Sequence, residues 1–295
     1  MFSNKEFLKF IEDSRRKALD IVVASVIQTQ GSTYAKAGNM LLVNSIGEFI
    51  GVLGSPFLHN KILEASKDIF NSKESYIFES IPQDESSGHG HSKYFLQPFF
   101  LSENYGVVGL AKENIGKTLV RSTKDNSYKI LDEKCDTKLE NDEFYQTIES
   151  PYNLLIFGSG AHVKSLISMA NLMAWKTTVI DLKIKEYVNE ADELIELEKV
   201  EDILTMDLSS YNASVILSHS PKTDDIYLKA LLNSNAEYIG MMGNKKNMKR
   251  KIEQFKLEND KRFFAPVGFD IGGNTHQAIA LSICSQIEAK KNGKI

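Results

Sequence analysis

The residues best suited to chemistry lie in the carboxyl-terminal half, where apolar runs end in short glycine- or histidine-bearing turns. Leu154-Leu155-Ile156-Phe157-Gly158-Ser159-Gly160 is one such junction, a strand running into a glycine turn ahead of residues at helical spacing. That arrangement gathers free backbone N–H groups and the positive end of a helix at one point, which suits a phosphate or pyrophosphate. Asp181 closes the next apolar run, where an acid can accept from ribose hydroxyls. Val163 stands where the full dinucleotide fingerprint has its third glycine. Two glycines in this pattern also suit a turn that serves only the backbone. Gly158, Ser159, Gly160 and Asp181 are therefore candidates for cofactor binding.

Three further groups of residues could do chemistry. His219, in Ser218-His219-Ser220-Pro221, follows an apolar run directly and so belongs at the carboxyl edge of a sheet. A neutral imidazole there can donate to a phosphate or exchange a proton near neutral pH, and no other residue is a catalytic candidate. Asp224 or Asp225 reads as a cap for the helix that follows. Gly243, Lys245 and Lys246 lie in a second strand–glycine–helix junction. Two lysines in a first helical turn oppose the helix dipole unless an anion compensates them, although a basic run also suits a solvated face. His89 and His91, two residues apart in a polar loop with Asp84 and Glu85 nearby, have the spacing to share a metal on extended backbone, or simply to be solvated. Cys284 falls on an apolar helix face and reads as core, while Cys135 lies among Asp132, Glu133 and Asp136, which disfavour its thiolate.

The elements that must position these residues are legible from periodicity. Ser3 and Glu6 have capping-box spacing ahead of a helical stripe of Phe7, Leu8, Phe10 and Ile11. Residues 21–27 form a β-branched run that suits a buried strand, and 40–43 and 48–53 read as a hairpin. A helix over 59–70, a polar loop over 82–92 and a strand over 93–97 follow. Residues 112–149 are polar and weakly patterned, which predicts peripheral strands and a mobile connecting segment. Pro151 suggests a boundary between a domain of residues 1–150 and one of 151–295. Beyond it, strands over 153–157, 177–180, 213–217, 236–241 and 264–267 alternate with amphipathic helices. That alternation predicts a Rossmann-like, doubly wound parallel sheet, and hence an α/β protein with a smaller N-terminal α+β domain.

Composition narrows the function. The chain has 295 residues, against about 150 for one domain, with 42% hydrophobic and 25% charged residues. A net charge of -4 provides no global basic field for nucleic acid or an anionic membrane. Two cysteines are too few for a disulfide scaffold or a cysteine-based zinc site. No apolar run reaches the ~20 residues of a membrane span. The amino terminus lacks a signal-peptide core. These features predict a reduced, cytoplasmic protein.

The ordered set of motifs resembles the XdhC/CoxI family, accessory proteins for the maturation of molybdenum hydroxylases such as xanthine dehydrogenase. In the first half the resemblance is carried by Val22-Val23-Ala24-Ser25-Val26, Gly31-Ser32, Gly38, Met40-Leu41-Leu42-Val43, Gly47 and Gly51. In the second it is carried by Ile156-Phe157-Gly158-Ser159-Gly160, Trp175 through Val179-Ile180-Asp181, Ser218-His219, Tyr238-Ile239-Gly240, Gly243-Asn244-Lys245-Lys246 and Ala265-Pro266-Val267-Gly268-Phe269-Asp270-Ile271-Gly272. The resemblance implies binding of the molybdenum cofactor (molybdopterin) through the Rossmann domain. It also implies sulfuration with a cysteine desulfurase, transfer to an apo molybdenum hydroxylase, and a homodimer. The departures are specific. Gly54-Ser55-Pro56-Phe57-Leu58 replaces the family's Gly-Gly-Cys-Val-Glu, His89-Gly90-His91 replaces Cys-Gly-Gly, and Thr275-His276-Gln277-Ala278 replaces Thr-Pro-Glu-Glu. Both cysteines of the family's first domain are thus absent.

Three functions are open to such a chain. The first is a cofactor-handling accessory protein that does not turn over substrate. The second is an NAD(P)-dependent oxidoreductase using the same crevice, with His219 as acid or base. The third is a regulatory binding module without catalysis.

Overall fold

The computed structural model describes residues 4–81 and 90–295. The chain divides into two compact units, Met1–Ser150 and Pro151–Ile295. In the first, helix α1 (Lys5–Arg16) starts at Asn4, whose Oδ1 accepts from the amide of Glu6 at 2.8 Å. Asn4 is thus the cap, and Ser3, expected in that role, lies outside the described residues. Strands β1 (Ile21–Gln30), β2 (Met40–Asn44), β3 (Phe49–Ile50), β4 (Tyr76–Ser80) and β5 (His91–Phe99) make an antiparallel sheet in the order β3-β2-β1-β5-β4. Helix α2 (Pro56–Ser72) starts earlier than its apolar spacing predicts. Ser55 Oγ accepts from the amide of Leu58, and Pro56 occupies the first helical position, where its missing N–H removes no bond.

The polar stretch of residues 112–149, expected as peripheral strands and a connecting segment, contributes a whole sheet. After the one-turn α3 (Gly106–Gly109), strands β6 (Thr118–Ser122), β7 (Tyr128–Leu131), β8 (Lys138–Glu140) and β9 (Glu143–Thr147) form a second antiparallel sheet, in the order β7-β6-β9-β8. Its inner face holds Leu119, Phe144 and the fully buried Arg121. The Arg121 guanidinium lies 5.5 and 5.3 Å from the ring centres of Phe95 and Phe144 and donates to Ser25 Oγ at 2.7 Å. Burial pushes its pKa down to about 9. Cys135, expected in a mobile segment, is tied instead: its amide donates to Thr118 Oγ1 at 2.9 Å. His91, expected in a loop, opens β5 opposite Gln30. His89, Asp84 and Glu85 lie outside the described residues. Among the described residues no three His, Cys, Asp or Glu side chains are placed to hold a metal.

The second unit is a six-stranded parallel sheet of β10 (Asn153–Phe157), β11 (Lys176–Asp181), β12 (Glu193–Glu196), β13 (Ala213–Ile216), β14 (Tyr238–Met241) and β15 (Phe263–Phe264). Its order, β12-β11-β10-β13-β14-β15, is that of the Rossmann fold. Helices α4 (Val163–Leu172), α5 (Pro221–Leu232), α6 (Lys245–Phe255) and α7 (His276–Lys291) cover it. Alternation along β10 explains the two layers. Leu154 and Ile156 pack with α4 and α7, whereas Leu155 and Phe157 pack with α5 and α6. Edge strand β12 is not evident from sequence because Leu194 and Ile195 are its only apolar residues, between two glutamates.

A buried hydroxyl is left unpaired in this layer. Tyr227 stacks on Phe157 with ring centres 4.3 Å apart, and its hydroxyl has no partner among the described residues. Burial pushes the phenol up to about 12. Tyr227→Phe removes a desolvated hydroxyl that forms no bond. It is expected to stabilise this unit by up to about 1 kcal/mol, read as a higher denaturation midpoint by fluorescence of Trp175, the chain's one tryptophan.

Candidate functional site: the switch point of the parallel sheet

Strands β10 and β13 are neighbours, but their helices leave to opposite faces, so a crevice opens beyond their carboxyl ends. Gly158 follows β10 directly, with φ +104°. Its amide donates to the Ile180 carbonyl at 3.0 Å. A Cβ there would meet Ser218 Cα at 2.8 Å and Leu217 C at 3.0 Å. Glycine is therefore required for β10 and β13 to continue side by side into the crevice. Ser159 is buried, and its hydroxyl donates to Asp181 Oδ2 at 2.7 Å and accepts from the Lys185 amide at 3.2 Å. Asp181 Oδ1 accepts from the Leu182 amide at 2.8 Å. The acid at the end of β11 is thus fixed to the glycine turn. The next three amides, of Gly160, Ala161 and His162, have no acceptor among the described residues, as expected at the start of α4.

Three imidazoles gather at this point, two of them overlooked in the sequence. His162 precedes α4, His219 follows β13, and His276 opens α7. The His162 ring lies 4.6 Å from that of His219 and 6.4 Å from that of His276. Its Nε2 donates to the Leu217 carbonyl at 3.1 Å, which leaves Nδ1 as the acceptor nitrogen. The ring covers Gly160, where a Cβ would lie 2.7 Å from its Cε1. His219 holds φ +57°, in the left-handed region. Sequence spacing alone could not group the three, because only the order of the parallel strands brings their elements together.

Burial, followed by the neighbouring His219 and His276, lowers the pKa of His162 despite its carbonyl partner. The folded state therefore binds this proton less readily than the unfolded chain. The resulting stability is present above the usual imidazole range and is lost as pH falls through it. Trp175 fluorescence should show the second unit weakening between neutral pH and about pH 5, and His162→Gln should flatten that fall.

On the other side of His219, a cleft of about 560 Å³ runs between α5 and α6. Asp224, Met242, Gly243, Asn247, Met248 and Arg250 are among its lining residues. Asp224 does not cap α5. Ser220 is the N-cap residue, while Asp224, 8% exposed, sits in the first turn and accepts from Ser218 Oγ. Burial raises its pKa. Asp225 does not cap either, and pairs with Lys251. Gly243 borders the cleft, but Lys245 and Lys246 do not line it and lie exposed on the first turn of α6. Asn244 caps that helix by accepting from the Asn247 amide at 2.9 Å.

The fold and this crevice define a Rossmann-type protein with an added α+β unit. Residues 154–287 match the XdhC Rossmann domain, and residues 14–79 match the XdhC and CoxI family model. The chain belongs to the XdhC/CoxI family. A similar curated protein is a probable xanthine dehydrogenase subunit of Bacillus subtilis (strain 168), 22% identical over 309 residues, covering 91% of this chain and 92% of that one. A crystal structure described as a xanthine dehydrogenase from Bacillus halodurans has the same fold, with a TM-score of 0.81 and 20% identity, covering all of this chain and 97% of that one. Among the described residues no helix is long and apolar enough to cross a membrane.

Proposed function

We propose that this chain is a cytoplasmic accessory protein in the maturation of a xanthine dehydrogenase-type molybdenum hydroxylase. In this reading the switch point holds the phosphate-bearing end of the molybdenum cofactor. The observation that carries it is the run of amides at Gly160, Ala161 and His162 that have no acceptor among the described residues, at the start of α4 and beside His219. Family membership and the similarity to a probable xanthine dehydrogenase subunit support the client class. The residues present fit a phosphate: amides and imidazoles can donate to it, while Ser159 and Asp181 fix the turn. They offer little to the metal. Burial pushes the Cys284 thiol up to about 12, and Cys135 lies in the amino-terminal unit. When bound, the cofactor would supply the molybdenum centre that the client uses. The residues of this chain bind and orient its anionic end and hold protons at the imidazole nitrogens. A cysteine desulfurase and a second copy of this chain are the further partners of this reading.

An NAD(P)-dependent oxidoreductase is the second reading, favoured by the position of Asp181 at the end of β11. Against it, both Asp181 oxygens already accept from Ser159 and Leu182, so a ribose would have to share them. Titration of the purified chain with molybdenum cofactor, NAD(H) and NADP(H) in turn separates the two. The accessory role predicts retention of the molybdenum cofactor and weaker dinucleotide binding. Dinucleotide binding without cofactor retention would transfer the assignment to an oxidoreductase, and no binding of any would leave a regulatory module.

A further inference from the structure

The cleft between α5 and α6 has a chemistry that the phosphate end of a ligand does not use. Asp224 is more than nine-tenths buried, yet it borders this cleft. Its Oδ1 accepts from Ser218 Oγ, and no donor among the described residues is paired with its Oδ2. A carboxylate left in this state on a cavity wall is an acceptor waiting for donors. The rest of the wall suits a flat ring. Met242 and Met248 offer deformable thioether surface. Asn247 and Gln254 carry amides able to pair with ring nitrogens and carbonyls. Arg250, whose Nη2 donates to Asn247 Oδ1, has no acidic partner among the described residues and can stack on an aromatic face. The cleft, at about 560 Å³, exceeds the needs of a phosphate and falls within the range of small-molecule sites.

We infer that this cleft takes an amino-oxo-pyrimidine ring, the edge common to guanine and the pterins, with Asp224 as the residue that reads it. That edge places an imino N–H beside an exocyclic amino group, two donors in a row facing one carboxylate. Adenine lacks the imino donor and presents an acceptor there, so Asp224 rejects it. The inference rests on the proposed function only in placing the ring's phosphate-bearing tail at the Gly158–His162 turn. The ring site is argued from the cleft alone.

Isothermal titration of the full chain with guanosine, inosine, pterin and inorganic phosphate tests the two independently. Guanosine carries both donors, and inosine lacks the exocyclic amino group, so guanosine should bind about tenfold tighter. Pterin and guanosine distinguish the source of the ring, and tighter binding of either supports the edge. Asp224→Asn should remove the preference for guanosine over inosine and leave phosphate affinity unchanged. Equal binding of guanosine and inosine by the native chain would overturn the inference without recourse to a variant. So would an intact preference in folded Asp224→Asn. Loss of phosphate binding alone would count against the proposed function and leave the ring assignment standing.

Discussion

Replacing Gly158 by alanine is expected to destabilise the second unit by about 3 kcal/mol, although the change adds one methyl group. Two effects add. At φ +104° an L residue is strained, and a left-handed conformation alone costs about 1–2 kcal/mol. The methyl group would also lie 2.8 Å from Ser218 Cα and 2.9 Å from Ser218 N. Those are backbone atoms of the segment leaving β13, so relief requires the central strands to part. Leu217 donates its amide to the Phe157 carbonyl at 2.8 Å, and that bond is the first to stretch. The measurement is a denaturant titration followed by Trp175, which is buried in the core shared by α4 and α7. A midpoint equal to that of the native chain would show that the close approach of β10 and β13 is not fixed by this glycine.

The parallel sheet was legible because its signals are local. A run such as Leu154-Leu155-Ile156-Phe157 is apolar on both faces, and only a strand covered on both sides buries all of it. The second sheet of the amino-terminal unit is legible only as peripheral strands without bounds or pairing, for the opposite reason. Its outer strands β7 and β8 are largely exposed and carry Lys129 and Lys138 to solvent, so the apolar signal is too weak to separate strand from connection. Arg121 misleads in the same way, since a charged residue predicts a surface and this one is enclosed by Phe95 and Phe144. The candidate site divides along similar lines. Gly158, Ser159, Gly160, Asp181 and His219 could be placed at strand ends from spacing alone. His162 and His276 could not, because their relation to His219 is set by which strands are neighbours. Asp224 was assigned to a cap from its position near a helix start. The hydroxyl of Ser218 redirects it, and Ser220 takes the N-cap position.

The second glycine of the turn should behave in the opposite way to the first. Gly160 has no positive φ, and the atoms nearest a Cβ there belong to the His162 ring, a side chain that can swing aside. Gly160→Asp is therefore expected to fold, with a stability change within about 1 kcal/mol, while placing a carboxylate among the amides of Ala161 and His162. Like charges about 4 Å apart near a protein surface repel by about 4 kcal/mol. Guanosine monophosphate, or any ligand with a phosphate seated at this turn, should consequently bind at least about a hundredfold more weakly. Guanosine itself, with no phosphate, should be unaffected. Gly160→Ala, which adds volume without charge, should lose far less, so the contrast between the two variants isolates the electrostatic contribution. If Gly160→Asp bound the phosphate-bearing ligand as well as the native chain does, the anion would have to lie elsewhere, and the amides that open α4 would serve only to begin a helix.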